Sequence, residues 1–341
     1  MNVTKPSYYD DFHCLGGICP DSCCQEWDVD VDEASAACYR SLPGPLGDAL
    51  REALLDTEDG TVMTIREGRC PMWREDGLCR IQAELGEGAL CRVCAQFPRL
   101  RHDYGNFAEL GLELSCPEAA RLILSAPAGQ SLTFQEAESG EADYDREAMR
   151  LLLETRGRAL ALLEEYEIPD ALTLLLFYGY LAQEALDGGE LEELEPEAAL
   201  ETAREMAEKP DEAEFLEFFQ GLEILTQQWP RRLSHPGAPA LPPQTRALAR
   251  YLVERYWLQA VSDYDLVGRV KFILISCLLV GLLGGDYVRT AQLFSKEIEN
   301  DLGNVEAILD AAYTSPAFTD RKLLGMILST KSYQKEEKDI R

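Results

Sequence analysis

CLGGICPDSCC at residues 14–24 and CPMWREDGLCRIQAELGEGALCRVC at residues 70–94 hold eight of the chain's eleven cysteines. The spacings run C-x4-C-x3-C-C, then C-x8-C-x11-C-x2-C, with Cys116 twenty-two positions after Cys94 and Cys38 set apart between the blocks. Thiolates are soft ligands for zinc and iron–sulfur clusters, so cysteines grouped in this way point first to a metal. The residues between them agree. Gly16, Gly17, Pro20, Pro71, Gly77 and Pro98 lie within a few positions of a cysteine. Glycine lets backbone approach a cluster closely, proline fixes chain direction, and N–H groups freed by turns can bond to sulfur. A disulfide framework is the competing account. It belongs to oxidising compartments and mostly to small secreted domains, whereas this chain has 341 residues and opens MNVTKPSYYDDF, without the basic, apolar and cleavage regions of a secretory signal. A cytoplasmic location is therefore expected.

Short regular elements surround the cysteines. WDVDVDEAS alternates apolar and acidic residues at Trp27, Val29 and Val31, the period of a half-buried strand, before Asp32 opens a helix with Cys38 on its inner face. A short helix about Leu46 to Leu55 and a hairpin through Thr61 to Arg66 complete a compact module. In ALCRVCAQFP, residues 89–98, the three-residue step from Cys91 to Cys94 turns both sulfurs towards one point, and Pro98 stops the helix that holds them. Cys116, before Pro117, is placed to open another helix, where the dipole favours a thiolate.

Beyond residue 125 the pattern changes. Residues 126–143 read as a linker of Ala, Gly, Ser and Glu without clear period, and apolar stripes then predict helices at about 144–166, 170–186, 196–208, 211–228, 244–261, 266–283, 287–300 and 316–330. SHPGAPALPPQT, residues 234–245, breaks the series as a loop. The expected fold is mainly α: an irregular cysteine-rich metal-binding module with short strands over 1–125, a linker over 126–143, and an all-helical domain over 144–333. Cys277, alone in an apolar helix, is a packed thiol. Gly281, Gly284 and Gly285 in GLLGGDY follow a helical run and read as a helix stop, so no convincing glycine-rich donor-binding loop is present.

The net charge is −29, from 61 acidic and 32 basic side chains, and no basic stripe offsets it. A surface that tracks nucleic-acid phosphates is thereby excluded, while a cationic protein partner can be accommodated. The longest apolar run, Phe272 to Leu283, falls short of the roughly 20 residues that span a bilayer and is read as a buried helix, with no membrane partner.

PSYYDDFHCLGGICPDSCCQEWDVDVDEASAACY, CPMWREDGLCRIQAELGEGALCRVCAQFPRLRHDYGN and LSCPEAARLIL together resemble the bacterial flagellin lysine-N-methylase family. The paired-cysteine section is also similar to the wider family of zinc- or iron-chelating domains named for a C-x2-C-x2-C-C pattern, with longer gaps. The resemblance implies methyl transfer to lysines of flagellin, with S-adenosylmethionine as donor and a [4Fe-4S] cluster as metal centre, zinc being the alternative. The C-x3-C-x2-C triad of radical enzymes that use the same donor is absent, because Glu26 stands where its third cysteine would be. As ligands the best candidates are Cys19, one or other of Cys23 and Cys24, and Cys79, Cys91 and Cys94, with Cys14, Cys70 and Cys116 possible. Arg99 and Arg101 could neutralise a thiolate cluster, grip the donor's carboxylate, or simply form surface ion pairs. Tyr104, with Tyr8, Tyr9, Trp27, Trp73 and Phe97, could offer a ring face to a sulfonium or ammonium group. The alternative from another class is a non-catalytic zinc- or iron-binding module whose helical domain holds a protein partner.

Overall fold

The structure is a computed structural model and describes residues 1–127, 131–136 and 140–339. Seven strands lie in its first part: β1 (Asn2–Pro6), β2 (Val29–Val31), β3 (Leu54–Thr57), β4 (Gly60–Met63), β5 (Arg99–Asp103), β6 (Phe107–Leu112) and β7 (Ser131–Gln135). They form two sheets, β5-β6-β1-β7 and β2-β4-β3. In the larger sheet β1 runs parallel to β6 and antiparallel to β7, with Val3 opposite both Ala108 and Phe134. The stretch 126–143, expected as a linker, thus contributes a sheet strand at Ser131–Gln135. The smaller sheet carries the expected strand at Val29–Val31. Its hairpin turns at residues 58–59, earlier than the expected Thr61 to Arg66.

Helices α1 (Glu33–Ser41), α2 (Gly44–Ala53), α3 (Arg80–Leu85) and α4 (Arg92–Gln96) belong to the cysteine region, and α5 (Pro117–Ser125) leaves it. The chain then folds as α6 (Arg146–Glu165), α7 (Ile168–Leu186), α8 (Pro196–Met206), α9 (Glu212–Gln220), α10 (Trp229–Ser234), α11 (Thr245–Tyr256), α12 (Leu266–Leu283), α13 (Tyr287–Phe294), α14 (Leu302–Thr314) and α15 (Asp320–Asp339). The fold is mainly helical, as expected. Two of these helices, α10 and α14, are additional to the expected set.

Local chemistry explains the boundaries. The Asp32, Asp145, Asp211, Asp265, Asp286 and Asp301 carboxylates each accept a backbone N–H from the first turn of the helix that follows them. At the far end of α12, Gly284 has φ +61°, a conformation that stops the helix at little cost only for glycine. All 18 residues of α12 are buried by neighbouring helices, although its length and composition would also suit a membrane span. Directly after α13 the ladder widens into a π-turn, Ser295–Glu299, whose five residues are all buried.

Two apolar cores result. The smaller gathers Val29, Val31, Tyr39, Leu50, Met63, Met72 and Ile81 with Cys70 and Cys91. The larger runs from Phe12, Leu112, Leu114 and α5 through the helices to Ile327. Segments at residues 12 and 112–124, grouped by sequence with the cysteines, therefore share the core of the helical part.

Candidate functional site

Three loops bring the cysteines together. The Cys70 N–H donates to Cys24 O at 2.8 Å, Glu26 N–H donates to Gly68 O at 3.1 Å, and Gln25 bridges Arg69, so the first cysteine block is stitched to the second by backbone. Gly17 and Gly77 allow a further contact: a Cβ on Gly17 would lie 2.5 Å from Asp76 O, and one on Gly77 would lie 2.8 Å from Gly17 Cα. The third block is placed by Asp32. One of its carboxylate oxygens accepts Ser35 N–H at 3.1 Å at the start of α1, and the other accepts Arg92 N–H at 2.9 Å at the start of α4. These backbone donors hold its pKa down at about 2. Cys91 is thereby fixed at the head of α4, with Cys94 one turn on.

All eleven cysteines are free thiols, and nine of them influence one another. Within each of the pairs Cys23–Cys24 and Cys91–Cys94 one thiol donates to the other, lowering the pKa of Cys24 and of Cys91 and raising that of its partner. Burial pushes Cys70 up to about 12, and the neighbouring Cys24, Cys79 and Cys91 add to the rise. Burial raises Cys79 as well, again with Cys24 and Cys91 adding to it. A second set forms around Cys116, which burial pushes up to about 11 with Cys19 and Cys14 contributing. Cys23 faces both sets, since Cys24, Cys14 and Cys116 all raise it.

The candidate ligands therefore fall into Cys24, Cys70, Cys79, Cys91 and Cys94 on one side and Cys14, Cys19 and Cys116 on the other, with Cys23 between. Cys70, a secondary candidate in the sequence, is central to the first set. Cys38 is exposed on α1 and not on its inner face as expected, while Cys277 is buried. The donor chemistry suits a soft metal. Among the described residues, however, no three His, Cys, Asp or Glu side chains are placed to hold one ion.

The helical part grips this module through the π-turn. Lys296, only 1% exposed, donates to Asp21 Oδ1 at 2.8 Å, pairs with Glu26 Oε2 at 2.9 Å and lies 4.7 Å from the Trp27 ring centre. Gln292, one turn earlier, donates to both Asp21 Oδ2 and Ser115 O, and so joins the first cysteine loop to the residue before Cys116. At the end of the same turn Glu299 accepts hydrogen bonds from Tyr251 and Tyr256 and pairs with Arg255 Nε at 3.2 Å.

Arg255 and Tyr251 also line a half-open cavity of about 290 Å³ enclosed by β1, β5, β6, α6 and α11. Its walls combine apolar groups, among them Leu100, Leu110, Leu112 and Leu160, with the charged side chains of Lys5, Glu109, Arg156, Arg250, Glu254 and Arg255. Arg156 and Glu109 form a two-pronged pair at 2.8 and 2.6 Å. Burial first, and then Arg255, lowers the pKa of His102, whose buried Nε2 has no hydrogen-bond partner. Desolvation by the surrounding protein raises the pKa of Glu254, against the opposing pull of Arg250 and Arg156, although the side chain stays exposed.

Arg99 and Arg101 do not line this cavity. Successive strand residues point to opposite faces, so Leu100 and His102 turn inward and the two arginines outward. Arg99 lies over the Phe12 ring at 5.2 Å, and Arg101 pairs with Glu136 and Asp103. Tyr104 stacks on Phe107 at 4.7 Å, next to Tyr144. Sequence reading missed Glu109, Arg156, Glu254 and Lys296 because charged residues on helices and strands ordinarily mark a solvated face. The one available signal was the i, i+4 step from Arg250 to Glu254 inside an otherwise buried helix.

Comparison with known proteins finds relatives over part of the chain. The flagellar biosynthetic protein FliU of Salmonella muenchen is 30% identical over 154 residues, covering 39% of this chain and 82% of that protein. The lysine-N-methylases of Salmonella typhimurium and Salmonella choleraesuis are 30% and 32% identical over 155 and 140 residues. The matched region spans 35% of each lysine-N-methylase, about a third of its length. No protein-family model and no solved structure matches.

Proposed function

Because the chain belongs to the family of FliU and lysine-N-methylase of Salmonella, we propose that it is a cytoplasmic protein-lysine N-methyltransferase that acts on flagellin with S-adenosylmethionine as donor. The observation that carries this reading is the kinship with lysine-N-methylase, and the cavity beside β5 and β6 supplies a place for the chemistry. The residues there fit the donor. Arg250 would face its carboxylate, and the Tyr8 and Tyr251 rings would offer electron-rich faces to its positive sulfur. When bound, the donor supplies an electrophilic methyl group.

The chain's own part is to orient, dehydrate and deprotonate. A lysine ammonium must lose a proton before its lone pair can form the new N–C bond as the S–C bond breaks, leaving a thioether and a methylated ammonium. His102 lines the cavity and, lowered in pKa, stands neutral near pH 7; its buried, unpartnered Nε2 would have to turn towards the cavity to accept the proton. The leucine walls exclude water from the nitrogen's approach.

The cysteine module would hold the iron–sulfur cluster, or zinc in its place, through members of the set Cys24, Cys70, Cys79, Cys91 and Cys94. Their soft sulfurs and mutual influence support this, whereas their placement does not converge on a single ion, and no step is routed through the metal. Protein purified without oxygen is expected to contain iron and sulfide and to methylate flagellin lysines, read by peptide mass spectrometry. Iron-replete protein that transfers no methyl group would overturn the enzymatic reading; zinc without iron would replace the cluster.

A further inference from the structure

Glu254 differs from the other charged side chains around the cavity. Glu109 is taken by Arg156, Arg255 by Glu299, and Lys5 by Asp10; Arg250 donates to Ala126 O and reaches Glu164. Glu254 makes no hydrogen bond or ion pair among the described residues, although Arg250, Arg156, Glu109 and Tyr8 all lie near enough to influence its charge. Its side chain is exposed, so the carboxylate stands open on the cavity wall to a ligand that brings a positive charge. The cavity walls narrow the choice of ligand. Leu100, Leu110 and Leu160 line an apolar approach suited to a short hydrocarbon chain. A flexible run of methylenes ending in one compact positive charge is the chemistry of a lysine side chain.

We propose that Glu254 is the substrate-binding carboxylate that receives the ammonium group of an incoming lysine side chain. The assignment rests on the lysine-methylating reading and deepens it, by naming the residue that selects the acceptor. Glu254 pairs with the ammonium while the apolar wall covers the methylenes, and a neutral or acidic side chain of similar length leaves the carboxylate unpaired and is rejected.

The test is calorimetric titration of the full chain with Nα-acetyl-lysinamide, with Nα-acetyl-norleucinamide as the uncharged control and S-adenosylmethionine as a separate titrant. Wild type is expected to bind the lysine compound and not the control. E254Q is expected to lose at least about tenfold in that affinity, with donor affinity unchanged and a thermal midpoint close to that of wild type, because the side chain is exposed and makes no bond that the amide would lose. E254D, which keeps the charge, should recover part of the binding. Equal binding of the lysine compound by wild type and a folded E254Q overturns the proposal, as does failure of wild type to bind it. Loss of donor affinity in E254Q also overturns it by placing the carboxylate on the donor. Wild type that binds lysine through Glu254 yet methylates no flagellin would end the enzymatic reading alone, and methylation that ignores E254Q would end this one alone.

Discussion

At the scale of single residues, two basic side chains behave in opposite ways. Lys296 is satisfied twice over, by Asp21 and Glu26, and shielded by Trp27. Truncating it to methionine preserves much of the volume and strands two carboxylates at the junction of the cysteine loop and the π-turn. Breaking a buried pair in this way costs about 3–5 kcal/mol. Urea denaturation of Lys296→Met should show a loss of that order, and a loss under about 1 kcal/mol would mean that Asp21 and Glu26 are rescued by water. His102 is the reverse case, because burial keeps it uncharged. Its folded pKa lies below its unfolded value of about 6.5, so as pH falls through that value the unfolded chain takes up the proton first and stability drops. Thermal midpoints measured from about pH 7.5 to about pH 5 should fall less steeply for His102→Gln than for wild type. Parallel slopes would show that His102 does not contribute.

Among the elements, α12 depends on one close approach. A Cβ on Gly281 would lie 2.2 Å from the carbonyl oxygen of Ala240, in the loop that runs along the end of the helix. Alanine gains about 1 kcal/mol of helix propensity over glycine. It cannot keep that gain where its methyl meets backbone, which has no rotamer to yield, and overpacking of this kind typically costs about 1–3 kcal/mol. Gly281→Ala should therefore destabilise, whereas Gly157→Ala, in the open on α6 with nothing within 4 Å of its new methyl, should stabilise by up to about 1 kcal/mol. Denaturant midpoints of the two variants should move in opposite directions; movement in the same direction would show that the loop gives way.

Across the molecule, legibility in the sequence followed the strength of local signals. Helix α12 was readable because an apolar run lies between an aspartate cap and a glycine stop. Helix α14 was not, since Asp301 opens it one residue after the π-turn's closing Asn300, without a breaker between them. The larger sheet was hidden for another reason. Asn2–Pro6 is short and mostly polar, and Ser131–Gln135, although it alternates at Leu132 and Phe134, is only five residues long in a run of Ala, Gly, Ser and Glu, so neither carries a signal long enough to betray a strand. Their pairing is a long-range fact with no local trace. The cysteine spacing marked the blocks, but not the division of the first block between two sets, and the grouping of Cys70 with Cys24 comes from a backbone bond between distant loops. At Arg99 and Arg101 no strand was expected, and the one-residue phase of β5 points both side chains away from the cavity.

The central position of β1 also orders events in time. Residues 2–6 emerge from the ribosome about a hundred residues ahead of β6 and further still ahead of β7, and must wait unpaired for both. By then Cys24, Cys70, Cys79 and Cys91 have all been synthesised, with β2, β3 and β4 available to frame them. The smaller core, whose residues run from Val29 to Cys91, can thus close before the cavity has walls, so the frame of the cysteine loops is set ahead of the larger sheet.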